Sequence, residues 1–485
     1  MLFNSLAFAF FLPAVFALYW ALRGRVAQNV LILLASYLFY GWWDWRFLTL
    51  IAFSSLLDYG IGLGLGNTTA PRTRKLLLGL SLAGNLGLLG LFKYHDFFAR
   101  SLAEAFATLG IELHPVTLGL VLPVGISFYT FQTLSYTIDV YRGTLKPVRD
   151  PVSFLAYVSF FPQLVAGPIE RAADLLPQFQ RDRHFDAAAA TDGLRQMLWG
   201  LFKKIVVADN CARLVDEVYT LPAQQPGLLL LLGTLLFAFQ IYGDFSGYSD
   251  IAIGSARLFG ITLRRNFAFP YFSRDIAEFW RRWHISLSTW FRDYVYIPLG
   301  GSRGNVALRV RNTMIIFLVS GFWHGANWTF LVWGALHALF FLPLLLGGRN
   351  RQHLAVVAEG RLLPSLREAA AMLGTFLLVC LAWVFFRAAN VSQAFTILRR
   401  IITRSLDARL GQLTLEFITS HLTLGIACGA ILLMLALEWR QRAGHHALEQ
   451  LSASRPARWA VYVSLILVIV FLGDHGAQQF IYFQF

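Results

Sequence analysis

The sequence predicts an all-α polytopic membrane protein of about eleven transmembrane helices, with further re-entrant or interfacial helices, counting runs near the ~20 apolar residues that cross a bilayer. Three observations carry that prediction. Of 485 residues, 57% are apolar and 14% charged, where soluble chains carry about 25% charge. The mean hydropathy is +0.56, and 43 Phe, 17 Tyr and 14 Trp leave too little polar surface to clothe a water-soluble particle of this size. The 41 Lys and Arg against 27 Asp and Glu gather in short clusters between apolar runs, such as Arg72, Arg74 and Lys75, as loops facing an anionic leaflet do. The net charge of +14 therefore points to a lipid bilayer and asks for no nucleic acid.

Taken in order, the apolar runs lie near 5–22, 27–42, 46–66, 76–92, 117–141, 195–218, 228–262, 313–346, 369–387, 417–438 and 458–473. The two long ones, 228–262 and 313–346, are each either a bent span or a pair. The first run has no basic residue before it and Arg23 and Arg25 after it, the reverse of a secretory signal, so it is read as a retained span. Basic loops at Arg23 and Arg25, at Arg72 to Lys75, and at Arg142, Lys146 and Arg149 belong on the cytoplasmic side, which sets the N-terminus outside. The same rule takes 349–367 and 440–458 inside and leaves Arg399, Arg400, Arg404 and Arg409 outside. That conflict is relieved if 394–406 forms an amphipathic helix along the interface, with Phe395, Ile397, Leu398, Ile401 and Ile402 opposing the arginines.

Between 142 and 312 the texture changes. Pro162, Gly167, Pro168 and Pro177 punctuate 151–180, and charges recur every few residues. Irregular backbone at membrane depth survives only when buried in protein or lining a wet cavity, so a reaction chamber belongs here. No fixed-period repeat occurs. A single membrane domain over 1–485 is expected, with a catalytic core over roughly 117–346 and C-terminal transmembrane helices over 369–473. Cys211, Cys380 and Cys428 have no paired spacing, so neither a disulfide framework nor a metal site is expected.

Three segments carry residues that suit chemistry. SRDIAEFWRRWHISLSTWFRDYVYIPLGG at 273–301 holds Arg281, Arg282 and His284. At helical spacing Arg281, Ile285, Ser288 and Arg292 share one stripe, and Trp280, His284, Leu287 and Phe291 the next. The helical pattern favours an interface helix anchored by Trp and Arg; the other reading is a helix that points His284 into a cavity. If it lines a cytoplasmic mouth, Arg281 and Arg282, with Lys203, Lys204, Arg264 and Arg265, suit a phosphorylated donor. SGFWHGANW at 320–328 sets His324 and Asn327 in an apolar stretch; an ionisable residue at that depth is either functional or bonded to a neighbouring helix. A neutral imidazole there is a general base. His337 reads as structural. In QIYGDFSGYSD at 240–250, Asp244 and Asp250 must face protein or water, to orient a histidine, bind substrate or pair with nearby cations. No GxSxG, Walker, HExxH or Rossmann pattern occurs.

Several long motifs in order resemble the membrane-bound O-acyltransferase family, and within it the bacterial alginate O-acetyltransferase branch: PVGISFYTFQTLSYTIDVYRG at 123–143, FFPQLVAGPIER at 160–171, QIYGDFSGYSDIAIG at 240–254, EFWRRWHISLSTWFRDYVYIPLGG at 278–301, SGFWHGANWTFLVWG at 320–334 and the terminal FIYFQF at 480–485. The resemblance implies that His324, in the WHG motif, is catalytic, and that His284, in RRWHIS, is the second family position. It implies helices around a central funnel and acetyl transfer from a cytoplasmic thioester, with acetyl-CoA as cosubstrate and no bound cofactor or metal. The acetyl group would go to an exopolysaccharide such as alginate, with a periplasmic SGNH-type acetyltransferase as partner. The location implied is the bacterial inner membrane. D-alanyl transfer to teichoic acid and a non-catalytic polysaccharide or acyl transporter are the alternative functions; related halves, which a transporter favours, are not found.

Overall fold

The structure, a computed structural model, describes residues 1–405, 407–451, 454–476 and 480–481, without the side chains of 408–410. The expectation for Arg409 and the last four residues of the terminal motif thus lie outside the described residues. Among the described residues the regular structure is helical, and eight helical stretches are long and apolar enough to cross a membrane.

The expected runs meet this architecture in different ways. Arg25–Gly66 holds the second and third runs, joined through a tight turn at Trp45–Phe47. The run at 228–262 is one helix, Gly227–Leu258. The run at 313–346 is a pair, Val306–His324 and Trp328–Leu346. Two expectations need correcting. The run at 117–141 becomes helical only at Ile126, because Pro123 supplies no N–H and Gly125 takes a left-handed turn (φ 78°). Its helix, Ile126–Arg142, is buried along almost its whole length and faces protein, not lipid. The run at 195–218 is interrupted by a wide, π-type turn at Phe202–Ala208 between Ala187–Leu201 and Asp209–Thr220, and the interruption carries Lys203 and Lys204 into the interior.

The chain forms two compact units: residues 1–193 with 255–264, and residues 194–254 with 265–485. In the first, apolar helices are tied by a polar knot. Asp58, fully buried on Leu48–Gly66, accepts from Asn85 Nδ2 (2.8 Å) and Thr137 Oγ1 (2.9 Å), and from the Ser81 hydroxyl. Ser54 donates to Asn85 Oδ1 at 2.6 Å. Helices Leu48–Gly66, Pro71–Leu89 and Ile126–Arg142 are thereby pinned in register, in a setting where apolar surface alone gives little direction. Replacing Asp58 by Leu orphans three buried donors at about 1–3 kcal/mol each. The thermal midpoint of the purified protein should fall clearly for Asp58→Leu and less for Asp58→Asn, which keeps an acceptor oxygen. The stretch 151–180 is broken into short helices at Pro151–Ser159, Phe161–Leu164 and Ala172–Gln180, as its prolines and glycines dictate.

In the second unit the hairpin of Val306–His324 and Trp328–Leu346 packs backbone to backbone. A Cβ on Gly321 would strike the Phe330 carbonyl, and one on Gly334 the Phe317 carbonyl; small residues permit this approach, as elsewhere in membranes. The expected amphipathic helix is Val391–Arg404, capped by Asn390. Ala394 and Ile397 turn into protein, whereas Phe395 and Ile402 stay exposed beside the arginines.

Candidate functional site

His324 ends its helix because Gly325 is extended (φ −163°) and Asn327 starts the next one. Asn327 Oδ1 accepts from the Thr329 N–H (3.0 Å) and Nδ2 donates to the Ala389 carbonyl (2.9 Å). Asn327 therefore frames the break as a helix cap. At the break His324 is 3% exposed and lies edge-on against Trp323 (5.0 Å between ring centroids), Trp333 (5.0 Å) and Phe386 (5.4 Å).

His284 is fully buried, but not on the continuous helix that the stripes suggested. The segment splits into Ile276–Arg282 and Ile285–Phe291, and His284 sits between them in the left-handed region (φ 43°, ψ 55°). That conformation is costly for a residue with a side chain and needs outside support. Here the break turns the imidazole inward, 4.6 Å edge-on from Phe245 and 6.4 Å from the His324 ring. Two histidines forty residues apart thus share one aromatic chamber. Burial pushes the His284 imidazole down to about 3, so it is neutral at physiological pH. His337 lies off this pair, accepting from Trp280 Nε1 at 3.3 Å.

A cavity of about 800 Å³ opens along the helix Val306–His324, and neither imidazole is among the residues that line it. Arg281, Arg292, Arg309 and Arg351 line it together with Trp280 and Phe317, and it extends to Ser320, one turn before His324. Arg281 is held there by the Asn350 and His353 carbonyls (2.8 and 2.9 Å). Arg282 points elsewhere, to Glu278 (2.9 Å) and the Ala268 carbonyl (3.1 Å).

Lys203, Lys204 and Asp244 come together, yet with one another and with further acids. Lys203 pairs with Asp250 (2.6 Å) and donates to Ser246 (2.8 Å). Lys204 bridges Asp209 (2.7 Å) and Asp244 (2.8 Å). These ammonium groups are buried and paired with carboxylates. Arg264 likewise pairs with Asp174. Sequence reading missed Trp333 and Phe386, which wall the chamber, and Asn266, whose side-chain oxygen meets His284 Nδ1 at 3.0 Å. Nothing periodic marks Asn266; only the break at His284 brings it into range.

The model of the MBOAT, membrane-bound O-acyltransferase family, matches residues 148–386. The chain is 42% identical over 399 residues to the probable alginate O-acetylase of Pseudomonas aeruginosa, covering 81% of this chain and 74% of that protein. To the corresponding protein of Azotobacter vinelandii it is 42% identical over 400 residues, 81% and 77% of the two chains. The peptidoglycan O-acetyltransferase of Helicobacter pylori is 37% identical over 434 residues, 83% and 80% of the two chains.

Proposed function

The chain belongs to the membrane-bound O-acyltransferase family, and from that premise we propose that it passes an acetyl group from cytoplasmic acetyl-CoA toward an extracytoplasmic polysaccharide, with His324 as general base. It is a multi-pass membrane O-acyltransferase; the donor, the direction and the acceptor are what the proposal adds. The observation that carries it is the pair of buried imidazoles, 6.4 Å apart between centroids, with His324 one helical turn beyond Ser320 on the wall of an arginine-lined cavity.

The cavity volume lies within the range of about 300–1,000 Å³ usual for small-molecule sites. Its arginines suit the phosphates of a coenzyme A thioester, and its aromatic inner part suits the less charged arm that carries the acyl group. The basic loop over 349–367 supplies Arg351 and belongs on the cytoplasmic side, with the N-terminus outside and the protein in the bacterial inner membrane. In the reaction, the acceptor hydroxyl oxygen attacks the thioester carbonyl as His324 takes the hydroxyl proton. The C–S bond then breaks and the proton passes to the departing sulfur, so hydroxyl and thioester become ester and thiol. His284 orients one of the two reactants. A periplasmic SGNH-type acetyltransferase would take the acetyl group onward to the polysaccharide; the relatives named for alginate and for peptidoglycan support a glycan acceptor.

The test is release of coenzyme A from labelled acetyl-CoA by the purified protein in bilayers, with a polysaccharide acceptor and the periplasmic partner present. No release with any hydroxyl acceptor would overturn the proposal. For the donor site, the double replacement of Arg281 and Arg351 by Glu should raise KM for acetyl-CoA by about tenfold or more, as loss of charge-assisted bonds to phosphate demands, with kcat changed far less. An unchanged KM would remove the cavity from the donor path.

A further inference from the structure

Asn266 lies eighteen residues before His284 and holds it from several directions at once. Its main-chain carbonyl accepts from the Ile285 N–H at 2.9 Å, and the Ala268 N–H bonds the Arg282 carbonyl at 2.9 Å, so the two segments run as a short ladder across the helix break. Its side-chain oxygen accepts from Ser286 Oγ (2.9 Å) and the Ser286 N–H (3.3 Å), and meets His284 Nδ1 at 3.0 Å. Its Nδ2 donates to Ser249 Oγ at 3.1 Å. These partners settle which end of the amide is which. The Ser286 backbone N–H can only donate, so the atom facing it is the oxygen. An amide oxygen can only accept, so the proton between it and His284 belongs to Nδ1.

We propose that Asn266 is a positioning residue for the reaction: it fixes His284 as the Nδ1–H tautomer, in its left-handed backbone conformation, and so makes Nε2 the nitrogen that carries the basic electron pair. This rests on the reading of the two imidazoles as the reaction centre. The consequence is a division of roles. In this tautomer His284 Nε2 accepts a hydrogen bond from a hydroxyl or thiol, and it has no proton to give to the oxyanion that forms at the carbonyl. The donor to that oxyanion is then another group. The strain at His284 fits the same picture, because an unfavourable backbone conformation persists only where neighbours over-determine it, and Asn266 supplies bonds to three consecutive residues, His284, Ile285 and Ser286.

The experiment compares Asn266→Ala, Asn266→Asp and the parent protein in bilayers, with kcat and KM for acetyl-CoA measured separately and His324→Gln run alongside. Partners that orient metal-bound imidazoles are worth roughly 10- to 100-fold in activity, and a loss of that order in kcat, with KM for acetyl-CoA unchanged, is expected for Asn266→Ala. Asn266→Asp, whose oxygen also accepts from Nδ1–H, should recover much of the loss. A parental kcat in Asn266→Ala, or equal losses in both variants, would overturn the inference. Should Asn266→Ala not fold, the nitrogen-15 spectrum of histidine-labelled parent protein decides, with the His284 signals assigned through His284→Gln: a proton on Nδ1 is expected, and a proton on Nε2 would overturn the inference. Retained activity in His324→Gln, by contrast, would sink the reading of the reaction centre itself, whatever the Asn266 variants do.

Discussion

Replacing His324 by Gln is expected to lower acetyl transfer by about 10²- to 10⁴-fold, the contribution of a positioned general base, while the protein remains folded in the membrane. Gln is the better choice for this test because the imidazole fills a chamber walled by Trp323, Trp333 and Phe386, and truncation to Ala would add a cavity whose collapse could disturb His284. The loss should fall on kcat, since on the proposed reading the donor phosphates meet the arginines of the cavity, whose lining includes Ser320, one helical turn before His324. His337→Gln is the matched control. His337 is equally buried, but its Nδ1 accepts from Trp280, so its replacement should cost stability before it costs turnover. Coenzyme A release, read beside the thermal midpoint of each variant, separates the two effects. A His324→Gln protein that turns over near the parental rate would exclude His324 as the base. Incubation with labelled acetyl-CoA and no acceptor extends the test: label retained on the parent protein and lost from His324→Gln would move the mechanism from direct transfer to an acetyl-histidine intermediate.

The spans and the two histidines were legible in the sequence for different reasons. Apolar runs announce helices because lipid leaves the backbone no partner but itself, whereas the run at 313–346 read equally as a bent span or a pair, and the structure makes it a pair. His284 was legible as a residue through its motif, but not in its setting. Helical stripes assume an unbroken period, and the period fails at a left-handed residue that Asn266, eighteen residues earlier in the sequence, bonds together with its neighbours. The setting of Lys203 and Lys204 was hidden for a related reason. Two adjacent cations beside an apolar run look like a surface cluster, and no local pattern reveals that the π-type turn Phe202–Ala208 rotates both inward onto Asp209, Asp244 and Asp250. Composition counts charges; it does not say which are already spent on each other.

That pairing sets the second large effect, the response to Lys204→Met. Lys204 lies between Asp209 and Asp244, and its removal leaves two carboxylates in the interior without their cation, a change that costs about 3–5 kcal/mol when a buried pair is broken. The damage should travel to the reaction centre by a traceable route. Asp244 accepts the Ile481 N–H at 2.6 Å, which ties down the C-terminal segment. The neighbouring Phe480 packs on Tyr248 (4.9 Å between centroids) and Phe245 (6.0 Å), and Phe245 in turn stands edge-on to His284. Lys204→Met should therefore lower both the thermal midpoint and turnover. Adding Asp209→Asn and Asp244→Asn to it should restore much of the midpoint, because neutral amides no longer need a counter-charge and the amide oxygen that Asp244→Asn retains can still accept from Ile481. By comparison Arg46→Ala, which breaks the exposed pair with Asp44, should leave the midpoint where it was, since water replaces the lost partner. If Lys204→Met melted at the parental temperature, the buried network would contribute no net stability, and the C-terminal segment would be held by its aromatic packing alone.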